Sequence, residues 1–239
     1  MICHVQLDAV EGRMCHLLSV IGTCNGCSVR FRGGWVRDKI LGVQPSDVDV
    51  SVQGGPWCTG ALFARQVCGS GLAWVMGAAP ALLHVWEDCT ARVLLWGRAV
   101  DVVHVRWGLT LQEDAFSRDC TVNALFFHLP TATIEDWTGT GVGDLLHRRM
   151  IRTPCCPLAV YTADPRRMLR AVRIAARLQL RLHADVEWAL GTCAARAALA
   201  AVGPCAAIHD EVDAMLAGLH PHSAIAMLAH FDLLCIVVR

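Results

Sequence analysis

The chain has 239 residues, of which 54% are hydrophobic and 18% are charged, and its formal net charge is zero. This length suits one large domain or two small ones, and charged residues interrupt every apolar run before it could span a bilayer. The first residues lack the basic and apolar segments of a secretory signal, so we expect a soluble protein of the cytoplasm, the nucleus or the mitochondria.

Thirteen cysteines are scattered along the chain, mostly in apolar segments. Their odd number and spacing predict reduced, buried thiols rather than a disulfide framework. Cys24 and Cys27 have the spacing of half a zinc site, but no second pair completes it. We therefore favour small core residues beside an Asn25–Gly26 turn over a zinc site.

The arginines are unevenly distributed, although zero net charge by itself argues against a polyanionic partner. Nine of them fall between Arg148 and Arg181. This concentration predicts a local basic face.

The first half of the chain has mixed helix and strand patterns. Helical spacing over residues 5–21 ends at the Asn-Gly turn, and residues 53–90 show no clear pattern. A unit of strand, glycine turn, helix and strand covers 28–32, 33–34, 35–41 and 47–52. Two further strands, 91–95 and 99–105, form a hairpin around residues 96–98.

The second half changes character. A short helix or strand after Asp119 leads to a strand at 133–137, and Gly139, Gly141 and Gly143 mark a loop. From Asp164 the sequence is rich in Ala, Leu and Arg at helical spacing. We predict an α+β fold: a head of residues 1–150, with a small mixed or antiparallel sheet flanked by helices, and an all-helical part of residues 151–239.

Gly33 and Gly34 stand where a strand ends and a helix begins, followed by Arg37 and Asp38. Bare backbone N–H groups at a helix N-terminus can approach a triphosphate, and Arg37 would add positive charge. Taken alone, a double glycine of this kind is more often a plain tight turn.

Asp47 and Asp49 are two residues apart on a predicted strand, so both carboxylates share one face and repel each other unless a cation intervenes. Asp101 could add a third carboxylate if its strand lies beside the first. The alternative is a strand whose polar side simply faces water.

Two further groups combine arginines with carboxylates. Arg118, Asp119 and Asn123 suit phosphate and ribose hydroxyls, unless Asp119 or Thr121 merely caps a helix. Asp164 precedes a proline at a helix start, where helix capping alone would explain it. With Arg167 it also offers the acceptor and donor that read a base edge. Arginines continue this row at helical spacing, which can also be a solvated face: Arg170, Arg173 and Arg177.

In this order and spacing, four segments resemble the class II tRNA nucleotidyltransferases, and related poly(A) polymerases, of the polymerase β superfamily. The segments are Arg32–Gly42, Arg118–Phe127, Ile134–Gly139 and Asp164–Leu178. Trp35 and Phe126–Phe127 favour the eukaryotic branch, and the similarity spans residues 28 to 235. It implies a nucleotidyltransferase head followed by a helical neck and the start of a body.

The resemblance also implies roles for the candidate residues. Asp47 and Asp49 would hold two Mg²⁺ ions, and Asp101 would assist at the primer hydroxyl. Asp164 and Arg167 would select C and then A. The other nucleotide-binding residues would be Gly33, Gly34, Arg37, Asp38, Arg118, Asp119, Asn123, Arg170 and Arg173.

The implied reaction adds C, C and A from CTP and ATP to the tRNA 3′ end without a nucleic-acid template. The 3′-hydroxyl attacks the α-phosphorus in line, and pyrophosphate leaves. Poly(A) synthesis, or RNA binding without catalysis, are the alternatives. The neck motif departs from the family pattern, because Ala206 and Ala207 replace its first residues and only Glu211 is kept.

Overall fold

The computed structural model describes residues 5–54, 58–86, 90–105 and 109–238. The strands are β1 Cys27–Arg32, β2 Val48–Gly54, β3 Ala81–Trp86, β4 Thr90–Leu95, β5 Arg98–His104, β6 Leu125–His128, β7 Thr133–Asp136, β8 Met150–Ile151 and β9 Arg181–Leu182. The helices are α1 Ala9–Cys24, α2 Gly34–Ile40, α3 Gly60–Gly69, α4 Gly71–Val75, α5 Leu111–Phe116, α6 Gly141–Gly143, α7 Pro157–Ala163, α8 Arg166–Leu178, α9 Ala184–Leu190, α10 Cys193–Val202, α11 Ala206–Leu216, α12 Pro221–His230 and α13 Leu234–Val237.

The predicted N-terminal helix is confirmed as α1, but it begins later than its spacing suggested. Asp8 caps it, because the Asp8 carboxylate accepts hydrogen bonds from the N–H groups of Val10 and Glu11, both at 2.9 Å. The Glu11 carboxylate accepts in return from the Asp8 N–H at 2.8 Å. This reciprocal capping box sets the first residue of the helix.

Seven strands form one mixed sheet in the order β3-β4-β5-β2-β1-β6-β7. In the part of the chain that the structure describes, only β2 and β5 pair in parallel, and the other pairings in this sheet are antiparallel. The predicted mixed sheet and the β4–β5 hairpin are confirmed. The segment left unassigned by sequence supplies α3, α4 and β3, and α3 packs against β3, β4 and β5 with Phe63 and Ala64 fully buried.

Contacts divide the chain into two compact units. The first comprises Met1–Asp114 and Leu125–Trp137, and the second Ala115–Ala124 and Thr138–Arg239. The domain boundary near residue 150 stays a prediction. Among the described residues, no helix combines the length and apolar character needed to cross a bilayer.

The second unit is mainly helical, as expected, but it also contains the two-residue parallel pair β8–β9. The loop predicted at Gly139–Gly143 is helical in its last part, α6, and continues into one π-helical turn, Asp144–Arg148. At the start of α6, the Thr138 hydroxyl accepts a hydrogen bond from the Gly141 N–H at 3.2 Å. Glycine spacing therefore mispredicted the last part of this segment, because glycine spacing does not report local hydrogen bonds between side chains and backbone.

The expectation of reduced, buried thiols is wrong at Cys27 and Cys58, which form a disulfide. Their Cα atoms lie 6.5 Å apart, within the range that a disulfide bridges. Five described cysteines are exposed rather than buried: Cys24, Cys155, Cys156, Cys193 and Cys235. The Asn25–Gly26 turn is confirmed, and Gly26 has a φ of +65°.

Candidate active site

The Gly33–Gly34 turn joins β1 to α2. Gly33 has a φ of +66°, which residues with a Cβ rarely adopt. Its N–H donates to the Leu125 carbonyl at 3.0 Å, and its carbonyl accepts from the Arg37 N–H at 3.1 Å. The tight turn is therefore real, and phosphate binding by its backbone stays a prediction.

Arg37 is not directed into solvent. Its guanidinium is buried and donates from Nε to Oδ1 of Asp38 at 2.8 Å. The two side chains form an ion pair that is 6% and 4% exposed. A phosphate and the Asp38 carboxylate would therefore have to share the Arg37 guanidinium.

The acidic residues of β2 and β5 lie side by side. Asp49 alternates with Val48 and Val50, whose side chains are buried, so the carboxylate of Asp49 lies on the accessible face of β2. Asp47, which was predicted on this strand, lies just before it and is exposed. β5 pairs in parallel with β2, and Asp101 is the direct partner of Asp49. The expected adjacency of the two strands is confirmed.

Each of two carboxylates has a close partner. The Ser46 hydroxyl donates to Oδ2 of Asp47 at 2.8 Å. Arg92 of β4, which the sequence did not single out, donates to both oxygens of Asp101 at 2.7 Å. Within the described ranges, no three His, Cys, Asp or Glu side chains converge on one metal-binding cluster.

The donor set still fits a hard divalent cation. Asp47 and Asp49 offer accessible carboxylate oxygens two residues apart, and such oxygens are the protein ligands that Mg²⁺ prefers. Asp101 adjoins this pair through the strand register, but Arg92 holds its oxygens.

In the second unit, Asp119 and Asn123 are brought together as expected. The Asn123 amide donates to the Asp119 oxygens at 3.2 and 3.3 Å, and the Cys120 N–H donates to Oδ1 at 2.8 Å. The 3-10 helix Thr121–Asn123 has no side-chain cap, so capping does not explain Asp119. Arg118, which precedes Asp119, is partly buried.

Asp164 interacts mainly with a residue that the sequence reasoning missed. Arg166 donates to its two oxygens at 2.8 and 3.0 Å, whereas Nε of Arg167 lies 3.7 Å away. Burial raises the pKa of Asp164, but the hydrogen bonds and charge of Arg166 lower it by more, so the pKa lies below its usual value. The carboxylate is thus charged and accepts hydrogen bonds at neutral pH.

The arginines of α8 are not simply a solvated face. Arg170 and Arg173 both donate from Nε to the buried carboxylate of Glu211, at 3.0 and 2.7 Å. Nη1 of Arg170 also lies 3.6 Å from Oδ2 of Asp119. Glu211, the remaining acid of the neck motif, therefore links α11 to the arginine row, and this contact was not expected from sequence spacing.

Residues 29–152 match the family model described as Poly A polymerase head domain. The nucleotidyltransferase lcsQ of Purpureocillium lilacinum is 36% identical over 206 residues, covering 73% of this chain and 33% of that protein. The tRNA nucleotidyltransferase cca1 of Schizosaccharomyces pombe is 34% identical over 181 residues, covering 66% and 35%. A solved CCA-adding enzyme in complex with ATP has a TM-score of 0.81 at 25% identity, covering 96% and 52%.

The chain spans about a third of the length of these two curated relatives. The family model covers more than half of the chain, and its matched range contains the glycine turn, the three carboxylates of the sheet and Asp119 with Asn123. The chain therefore belongs to the poly(A) polymerase head-domain family.

Proposed function

We propose that this chain carries the nucleotidyl-transfer machinery of a CCA tRNA nucleotidyltransferase, which adds C, C and A from CTP and ATP to tRNA 3′ ends and releases pyrophosphate. The observation that carries the proposal is the strand register that pairs Asp49 with Asp101, beside Asp47. Similarity to a tRNA nucleotidyltransferase and to a CCA-adding enzyme supports this choice of substrates.

The first unit would bind the metal and the triphosphate. Asp47 and Asp49 would hold Mg²⁺, which when bound supplies positive charge to activate the 3′-hydroxyl and to stabilise the departing pyrophosphate. Asp101 would accept a hydrogen bond from that hydroxyl. The turn at Gly33–Gly34, with Arg37 and Asp38, would contact the phosphates.

The second unit would bind the nucleoside. Arg118, Asp119 and Asn123 would contact phosphate and sugar. Asp164 would accept from the amino group of C or A, and Arg167 would donate to the same base edge. Arg170 and Arg173, held by Glu211, would reach the incoming nucleotide. The side chains of α8 would thus replace a nucleic-acid template.

The test is incorporation of labelled CTP and ATP, with Mg²⁺, into tRNA transcripts that end before the CCA. We expect ordered C, C, A addition that then stops. Asp47→Asn and Asp49→Asn should each reduce the rate at least about a hundredfold, because the developing charge loses its stabilisation. Asp185→Asn, an exposed acid of α9, is the matched control and should leave the rate unchanged.

The same assay separates a second candidate, poly(A) synthesis, which the description of the matched family model favours. Long A tails made with ATP alone would show that the chain synthesises poly(A) rather than CCA. Wild-type protein that circular dichroism shows to be folded but that incorporates no nucleotide would contradict both enzymatic proposals and favour RNA binding without catalysis.

The proposed reaction places the protein where tRNA is matured, in the cytoplasm, the nucleus or the mitochondria. Subcellular fractionation of cells that express the tagged chain tests this assignment.

A further inference from the structure

Three charged residues form a row across neighbouring strands of the first unit. Asp49 of β2 pairs with Asp101 of β5, and Asp101 pairs in turn with Arg92 of β4. Directly paired residues project from the same face of a sheet. The neighbours of Arg92 along β4, Ala91 and Val93, are fully buried on the opposite face. Arg92 therefore shares the accessible face of the sheet with the carboxylates.

The Arg92 guanidinium holds both oxygens of Asp101. Nε lies 2.7 Å from Oδ1, and Nη2 lies 2.7 Å from Oδ2, which is the two-point geometry that suits a planar guanidinium. The Asp101 side chain is 24% exposed and that of Arg92 is 45% exposed. The third carboxylate of the site thus has an internal cation as its partner.

Arg92 also has a contact that does not depend on Asp101. Its Cζ atom lies 5.7 Å from the centre of the Trp86 ring, within the range of a cation–π interaction. Because Arg92 is partly exposed and contacts this ring, its guanidinium can leave Asp101 without being buried unpaired.

The charge of Arg92 affects the whole site. Hydrogen bonds and charge from Asp101 raise the pKa of Arg92, and the charges of Asp47 and Asp49 raise it further. By Coulomb's law, the same guanidinium repels any cation that approaches these carboxylates.

We propose that Arg92 is an internal counter-cation of the carboxylate site: it competes with a divalent metal for Asp101, and it keeps its contact with Trp86 when the metal displaces it from Asp101. The inference rests on the proposed function, since it assumes a metal at Asp47 and Asp49. Arg92 thereby weakens metal binding, and it leaves Asp101 available to the primer hydroxyl only in the metal-bound protein.

The experiment is a Mn²⁺ titration of the full chain, followed by electron paramagnetic resonance of free Mn²⁺, which requires no activity. We expect Arg92→Gln to bind Mn²⁺ about fivefold to tenfold more tightly, because a unit charge near a divalent ion is removed. Arg92→Met, which keeps the apolar stem, should show the same gain. Arg92→Lys keeps the charge and should stay within about twofold of wild type.

Arg65→Gln is the control, because it removes an exposed arginine from α3, which packs against the same strands. It should leave Mn²⁺ affinity unchanged. Circular dichroism verifies the fold of each variant. The inference alone is overturned if folded Arg92→Gln and Arg92→Met bind Mn²⁺ no more tightly than wild type, while Asp47→Asn loses the Mn²⁺ binding that wild type shows. Wild-type binding that Asp47→Asn and Asp49→Asn do not reduce overturns the proposed metal site, and the inference with it.

Discussion

At the scale of single residues, Glu211 is the point on which two arginines of α8 converge. The carboxylate is buried, and each of its oxygens accepts from a different guanidinium, those of Arg170 and Arg173. Long arginine side chains lose rotamer entropy when they are held in one geometry. Here a single buried carboxylate holds two arginine side chains. Glu211 is therefore a positioning residue for the proposed nucleotide-binding arginines.

We predict that Glu211→Gln lowers the free energy of unfolding by about 1 to 2 kcal/mol, because two partly exposed arginines lose their shared charged acceptor. Urea denaturation measures the change. Asp213→Asn, an exposed acid of the same helix, should change stability by less than about 0.5 kcal/mol. Coincident unfolding curves for Glu211→Gln and wild type would show that the contact contributes nothing.

Asp164 shows the limit of residue-level reasoning. The sequence paired it with Arg167, but Arg166 makes the closer contacts in the structure. Both arginines follow the same turn at Pro165, and spacing cannot decide which one folds back onto the carboxylate. The rotamers decide this, and they depend on the surrounding packing.

At the scale of elements, local chemistry determines where α1 begins. Burial raises the pKa of Asp8, but the Glu11 N–H and the charge of Arg98 lower it by more, so its pKa lies below the usual value. A carboxylate with a depressed pKa contributes stability above its unfolded pKa of about 4, and this contribution is lost as the pH falls through the folded pKa.

We predict that Asp8→Ala lowers the free energy of unfolding by about 1 kcal/mol at neutral pH, since the helix loses its cap. The difference from wild type should narrow below about pH 4. Urea denaturation at several pH values measures both effects. Asp8→Asn keeps a capping oxygen and should lose less stability. A difference that stays constant from neutral to acidic pH would contradict the charge-dependent part of the prediction.

Elements were predictable where neighbouring residues decide them. The alternation of β2, the glycine break before α2 and the turn between β4 and β5 are all local signals. β3 was not predictable, because it is an edge strand with nearly all of its residues exposed, and so it lacks the alternation of buried and polar positions.

At the scale of the whole molecule, the Cys27–Cys58 disulfide joins the start of β1 to the segment before α3. Closing a loop between cysteines 31 residues apart restricts the unfolded chain and should stabilise the fold by about 3 to 4 kcal/mol. We predict that Cys58→Ser, or reduction by dithiothreitol, lowers the melting temperature measured by circular dichroism.

Cys24→Ser is the matched control for the disulfide, because Cys24 is an exposed free thiol close to Cys27. It should melt like wild type and keep the response to dithiothreitol. Mass spectrometry after thiol alkylation reports the bond directly. Alkylation of both Cys27 and Cys58 in the unreduced protein would contradict the disulfide.

Periodicity and residues adjacent in the chain were enough to predict the α+β class, the strand–glycine–helix–strand unit and the acidic and arginine motifs. Which groups distant in the chain meet became known only from the folded structure: Asp49 with Asp101, Glu211 with two arginines, and Cys27 with Cys58. These contacts follow from strand order, strand register and helix packing. Burial of apolar surface from distant parts of the chain sets all three, so the local sequence does not encode them.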